Sequence, residues 1–150
     1  MEEKIKKAVT IVMAEDDDAD WKLAKRVFDK LHLTNEVVRV KDGQELLDHL
    51  KNHDSFKNRE NKKACLILLD LNMPKKDGRE ALAEMKEDPV LKHIPVIIMT
   101  TSKAEEDVVR SYQVGANAYI RKPIKQEDFL DVMTVFKKFW LEIIELPFVE

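Results

Sequence analysis

The stretch LILLDLNMPKKDG, residues 66 to 78, decides how this chain is read. Four apolar residues run straight into one aspartate, Asp70, and a Pro and an Asp-Gly follow at once. A short continuous apolar run bounded by turn residues reads as a strand buried on both faces. A carboxylate closing such a strand has two explanations. It is a buried structural acid, or it is held at the rim of a sheet for chemistry.

Similar runs recur along the chain. AVTIVMA (8–14), EVVRV (36–40), CLILLD (65–70), PVIIMT (95–100) and AYIR (118–121) are the candidate strands. Amphipathic stretches lie between them, at about 19–31, 43–51, 78–87, 103–114 and 125–144. Helix starts are marked by Asp17 or Asp18, by Asp42-Gly43, by Asp77-Gly78 and by Ser102, which fits a capping box with Glu105. The last helix lacks a cap residue, though Glu127 and Asp128 suit its positive end. Five strands alternating with five helices predict a doubly wound, three-layer α/β sandwich of the flavodoxin-like kind. Its five-stranded parallel sheet should run in the order 2-1-3-4-5. The polar, aperiodic segment 52–64 is expected to be a solvated loop, long enough to leave a partner-binding role open.

With 150 residues the chain suits one domain over 1–150, its core at about 8–124 and an extended C-terminal segment at 125–150. A hydrophobic content of 44% beside 37% charged residues excludes a disordered chain. A net charge of −3 argues against nucleic acid as a partner. The single cysteine, Cys65, rules out a disulfide framework and reads as core. The N-terminal stretch carries neither a signal peptide nor a membrane span, so a soluble cytoplasmic protein is expected. The four histidines, His32, His49, His53 and His93, lack metal-ligand spacing and read as surface residues.

In open α/β sheets, ligands bind beyond the carboxyl ends of the strands. The first strand ends in Glu15-Asp16-Asp17, the third in Asp70, the fourth in Thr100-Thr101 and the fifth at Lys122-Pro123. Clustered carboxylates repel, so a cation is expected, and oxygen donors of this kind favour Mg²⁺. A hydroxyl and a lysine can hold phosphoryl oxygens. Asp70 is then a candidate nucleophile, because carboxylates can form aspartyl-phosphate. Asp17 reads more simply as the cap of the first helix.

These motifs, in this order, resemble the response-regulator receiver domains of two-component signalling over nearly the whole chain. The carriers are Glu15-Asp16, Asp70 in LLDLNMPKKDG, Thr100 in PVIIMTT and Lys122-Pro123 in AYIRKP. The resemblance implies that Asp70 accepts a phosphoryl group from a sensor histidine kinase, and that the protein catalyses only its own phosphorylation and dephosphorylation. It implies Mg²⁺ on Asp16, Asp70 and the carbonyl of Asn72, with Glu15 acting through water. Thr100 and Lys122 would bind phosphoryl oxygens, and Tyr119 would be the aromatic switch that turns inward as Thr100 moves. The Lys122–Pro123 bond would be cis, against the ordinary trans preference of an X–Pro amide. Thr101 stands where a smaller residue is common and would narrow access to Asp70. A narrower similarity, in the 52–64 loop, in TTSKAEEDVVRSYQVGANAYIRKP and in WLEIIELP, is to the small single-domain regulators of bacterial and cyanobacterial phytochrome kinases.

The last helix carries a separate signal. Phe129, Met133, Phe136, Trp140 and Ile143 already make the stripe that covers a sheet. Leu130, Val132, Val135, Phe139 and Ile144 are left over, and exposed they would form a patch that wants a partner. A homodimer contact through Phe136, Phe139, Trp140 and Ile143, with the adjacent face of the fourth helix and fifth strand, is expected, unless the tail LPFVE folds back over the patch.

Three other functions fit less well. An aspartyl-phosphate hydrolase commonly has an acid two residues beyond its nucleophile, and here that residue is Asn72, which cannot transfer the proton. A nucleotide-binding module would show a glycine-rich phosphate loop, and neither G-x-x-x-x-G-K-[ST] nor G-x-G-x-x-G occurs. A degenerate receiver that works by contact alone is opposed by the intact Asp16, Asp70, Thr100 and Lys122. One helix and a short tail after the fifth strand leave no room for a DNA-binding output domain, so output through protein contact or as a step in a phosphorelay is expected.

Overall fold

The computed structural model describes residues 9–52, 64–123 and 125–147. In chain order the elements are β1 (Val9–Ala14), α1 (Asp18–Lys30), β2 (Val37–Val40), α2 (Gly43–Asn52) and β3 (Ala64–Leu69). Then come α3 (Gly78–Glu87), β4 (Val96–Thr100), α4 (Glu105–Val114), β5 (Ala118–Arg121) and α5 (Gln126–Phe136). A 3₁₀ turn at Leu91–His93, which the apolar pattern does not signal, precedes β4. The strands form one parallel sheet in the order 2-1-3-4-5, as the alternation predicts. Nearly all of segment 52–64 lies outside the described residues.

The sheet explains the continuous apolar runs. Successive strand residues point to opposite faces. Val12, Ile67 and Ile98 pack against Leu46, Leu47, Leu82 and Met85 of α2 and α3. Ile11, Leu66, Leu68 and Ile97 pack against Val27, Phe28, Phe129 and Met133 of α1 and α5. Both faces are covered, so both residue sets must be apolar. Cys65 is buried in the first of these clusters, and burial pushes its thiol up to about 12.

Three helices begin on aspartates. The Asp17, Asp42 and Asp77 carboxylates accept from the amides of Asp20, Glu45 and Glu80, at 3.0, 2.8 and 3.0 Å. The capping box at Ser102 does not form. Helix α4 starts two residues later, with Ala104 at the cap position, because the Ser102 hydroxyl donates to Asp107 instead (2.7 Å).

The last helix also departs from expectation. Beyond Phe136 it continues as a π-helix over Lys137–Ile143, and Ile144 donates its amide to the Phe139 carbonyl at 3.1 Å. The wider π turn slips the inward positions along the chain. Trp140, Leu141 and Ile144 therefore pack on the core, whereas Ile143 swings out to 60% exposure. Leu146, the first residue of the LPFVE tail, is buried again.

Gly78 ties the sheet to α3. Its amide donates to the Leu71 carbonyl (2.9 Å), and a Cβ there would strike the Asp70 carbonyl oxygen and come within 2.8 Å of Leu71 Cα. Both are backbone atoms and cannot swing aside. Gly78→Ala should therefore destabilise the fold by about 1–3 kcal/mol, the usual range for an overpacked site. Urea denaturation checks this, and unchanged stability would mean the loop yields freely.

Candidate functional site

The parallel register brings the strand ends together. Ala14 pairs with Leu69, and Leu69 with Ile98, so Glu15, Asp70 and Thr100 emerge along one edge. The Asp70 amide donates to the Ala14 carbonyl (3.2 Å), which carries the β1–β3 ladder right up to the acids. Lys122 follows β5, and its amide is fixed to the Thr100 carbonyl at 2.7 Å. Its stem then reaches back across the edge of the sheet.

At the centre sits the Lys122 ammonium. It donates to Glu15 Oε1, to Asp70 Oδ2 at 2.9 Å and to Asp20 Oδ2 at 3.0 Å. The other Asp70 oxygen, Oδ1, accepts from the Thr100 hydroxyl (2.9 Å) and the Asn72 amide (3.1 Å). Carboxylate oxygens of Glu15, Asp16 and Asp70 lie within 4.8 Å of one another, with Asp16 exposed and the other two buried. Asp16 thus faces solvent while Glu15 and Asp70 face the lysine.

Burial sets the electrostatics. It pushes the Glu15 carboxyl up to about 7, opposed by the Lys122 hydrogen bond and charge and reinforced by nearby Asp70. Burial alone would lower the Lys122 ammonium, but its hydrogen bonds to Glu15 and Asp70 outweigh this and hold it above its ordinary value. An all-oxygen donor set around one ammonium suits a hard divalent cation such as Mg²⁺.

Thr100 is fully buried and turned toward Asp70. Tyr119 is half-buried against the α2–α3 side of the core, and its hydroxyl donates to the Ser102 carbonyl at 3.2 Å. Thr101 is exposed beside them. The Lys122–Pro123 bond is trans, since the described residues contain no cis peptide; trans is the intrinsically preferred isomer. Of the expected contact residues on the last helix, Phe136 is core and Trp140 is partly buried against it, while Phe139 and Ile143 are exposed. His32 and His93 are exposed, His49 is half-buried, and His53 lies outside the described residues.

Other contributors escape a motif search. Asp20 shares the ammonium from the first turn of α1, and its spacing of four from Asp16 is the only sequence clue. Arg39 donates to the carbonyls of Glu15 (3.0 Å) and Asp16 (3.2 Å), pairs with Asp18 at 2.8 Å and stacks over Trp21. Its signal is a lone charge inside an apolar strand. The Arg79–Asp107 pair, bidentate at 2.9 and 2.7 Å, had no sequence signal at all. Its two residues stand 28 positions apart on different helices.

Residues 11–134 match the response regulator receiver domain family. The chain belongs to that family. It is 39% identical over 137 residues to the response regulator Rcp1 of Synechocystis sp., which covers 91% of this chain and 92% of Rcp1. It is 34% identical over 131 residues to the probable methanogenesis regulatory protein FilR2 of Methanothrix harundinacea, covering 87% of this chain and 83% of that one. Among solved structures, the Mn²⁺-bound form of Rcp1 is similar with a TM-score of 0.79 at 38% identity, covering 92% of this chain and 98% of the other. The phosphorylated cyanobacterial phytochrome response regulator RcpA is similar with a TM-score of 0.82 at 39% identity, covering 95% and 99%. The protein is therefore a receiver-type response regulator, and its strand-end acids lie where the fold places ligands. No helix among the described residues is long and apolar enough to cross a membrane.

Removing the lysine of this receiver should leave Glu15 and Asp70 buried without their cation. Lys122→Ala is expected to cost about 3–5 kcal/mol at pH 8, the usual penalty for breaking a buried pair. The sign with pH follows from Glu15. Its pKa is raised in the folded state, from 4.5 to about 7, so the folded chain binds the proton more tightly. Ionised Glu15 weighs against the fold above pH 7, and protonation relieves it as pH falls. The loss in Lys122→Ala should shrink at pH 6. Chemical denaturation at the two pH values without divalent ions checks this, and an equal loss at both would remove Glu15 from the explanation.

Proposed function

We propose that this receiver takes a phosphoryl group from a sensor histidine kinase onto Asp70 and signals by a changed surface. One observation carries this reading: each Asp70 carboxylate oxygen is already held by a donor, Lys122 on one and Thr100 with the Asn72 amide on the other. Those donors suit phosphoryl oxygens once Asp70 is modified. In the transfer, an Asp70 oxygen forms the new P–O bond as the P–N bond to the donor histidine breaks. Glu15, Asp16 and Asp70, with the Asn72 carbonyl, are the groups that would hold Mg²⁺, whose chemistry here is charge neutralisation during in-line transfer. Thr100 and Tyr119 are the switch pair, and Thr101 narrows the approach to Asp70. The similarity to Rcp1 and RcpA favours a phytochrome-type kinase as the phosphodonor, in the cytoplasm.

Intact mass after incubation with Mg²⁺ and acetyl phosphate tests the acceptor. Wild type should gain one phosphoryl group and Asp70→Asn none, with both folded. Equal labelling of the variant would overturn the assignment.

The C-terminal helix supports a second copy of this chain as a further partner. Val135, Phe139 and Ile143 are 68%, 46% and 60% exposed and recur at every fourth position. A self-complementary apolar stripe is the usual material of a two-fold contact. Phe139→Glu with Ile143→Glu should shift the protein toward monomer in light scattering without loss of stability, because neither side chain is core. An unchanged mass would remove this helix from the interface.

A further inference from the structure

Ser102 supplies the starting point, because its hydroxyl abandons the expected cap. It donates to Asp107 Oδ2 at 2.7 Å, the same oxygen that takes Arg79 Nη2 at 2.7 Å. Arg79 Nε meets the other Asp107 oxygen at 2.9 Å, and Nη1 reaches Asn72 Oδ1 at 3.4 Å. The Asn72 amide then returns to Asp70 Oδ1, where the Thr100 hydroxyl also points. The Ser102 amide closes on Thr100 Oγ1 at 3.4 Å. These bonds make a closed ring through Asp70, Thr100, Ser102, Asp107, Arg79 and Asn72. The ring joins the loop after β3 to the loop after β4. Tyr119 is attached to it through the Ser102 carbonyl.

The ring's one strong link is ionic. A bidentate guanidinium–carboxylate pair is both directional and stiff. Arg79 also has Asp77 nearby at 3.6 Å, but that contact lies within its own helix start and joins no second loop. The ring is built entirely from the chain's own groups. Thr100 points inward in it, and Tyr119 is held beside it through the Ser102 carbonyl.

We propose that Arg79 and Asp107 form a strap that holds the Thr100–Tyr119 pair inward before phosphorylation, which makes both of them positioning residues for phosphoryl acceptance. The proposal rests on the reading of Asp70 as acceptor only for its consequence, since the strap itself acts on the unmodified protein. Losing it frees the β4–α4 loop, lets Tyr119 turn out and leaves Thr100 less often aligned with Asp70.

The test is ¹⁹F NMR of protein labelled with 3-fluorotyrosine, without phosphodonor. The two tyrosines are Tyr112 and Tyr119. The Tyr112 hydroxyl accepts from the Tyr119 amide (3.1 Å), so Tyr119→Phe, which removes the Tyr119 signal and keeps that hydroxyl, assigns the two. Wild type should show Tyr119 in one half-buried environment. Asp107→Asn and Arg79→Ala should raise the outward population by roughly 3–10-fold, the scale expected of a partly exposed but bidentate pair. Ser102→Ala, which removes only one hydroxyl, should move it the same way and guards against a misfolded charge variant. Glu106→Gln removes an exposed acid from the same helix turn and should change nothing. An unmoved Tyr119 population in Asp107→Asn, or an equal shift in Glu106→Gln, would overturn the strap. In a second arm, the strap variants should take phosphoryl from acetyl phosphate several-fold more slowly but to the same final mass. If wild type itself takes none, the acceptor reading fails, and the Tyr119 signal still decides the strap.

Discussion

The site depends on one ammonium. Four strand ends converge on the carboxyl edge of the sheet, and β1 and β3, with the start of α1, bring Glu15, Asp16, Asp20 and Asp70 there. Gathered with no cation they would repel at short range, and two of them are almost out of water. Lys122 makes the cluster tolerable. Its backbone is pinned to Thr100 and its side chain touches three of the four acids. A buried ion pair is weak evidence of selection for stability, because desolvation cancels much of the attraction. Well-packed apolar residues would fill the same space at less cost. That the fold keeps charges here argues that they are kept for what they can do.

The same reasoning explains why the supporting shell is so dense. Arg39 ties down the carbonyls of Glu15 and Asp16, and Gly78 lets α3 start against the Asp70 carbonyl. Lys75 nearby sits at φ 61, a left-handed conformation uncommon for a residue with a side chain. Strain of this kind persists where the surroundings over-determine the backbone, and it gathers at functional loops. The loop from Asp70 to Gly78 is thus held at both ends rather than left to fray.

Much of this was legible in the residues, and the limits have physical causes. The five strands were readable because a sheet covered on both faces needs unbroken apolar runs. Three helix starts were readable because an aspartate cap is a local interaction. Ser102 misled because its hydroxyl had two acceptors to serve, and the distant one, charged Asp107, won over the local backbone. An α-helical period places Ile143 inward, but the segment forms π turns, so Trp140 keeps its inward position while Ile144 takes the place of Ile143. Asp20, Arg39, Arg79 and Asp107 are hard to single out because charged residues on helices and strands usually just face water. Only the fold shows which of them turn inward.

The arrangement of Thr100 and Tyr119 bears on how a phosphoryl group could act here. A ligand or modification shifts an equilibrium only through interactions that differ between the two states. In this structure Thr100 already donates to Asp70, and Tyr119 already donates to Ser102. On the proposed reading, phosphorylation therefore adds no first contact for Thr100. It replaces a carboxylate acceptor with a phosphoryl one that carries more charge and more oxygens. The difference between the states is the strength of that bond, together with the sharing of Lys122 among fewer carboxylates. Such a difference is modest, so the two states must lie close in free energy for a single modification to move the population. Links such as the Arg79–Asp107 pair, which tie the switch loop to α3 without touching the acceptor, are then the natural place for that balance to be set.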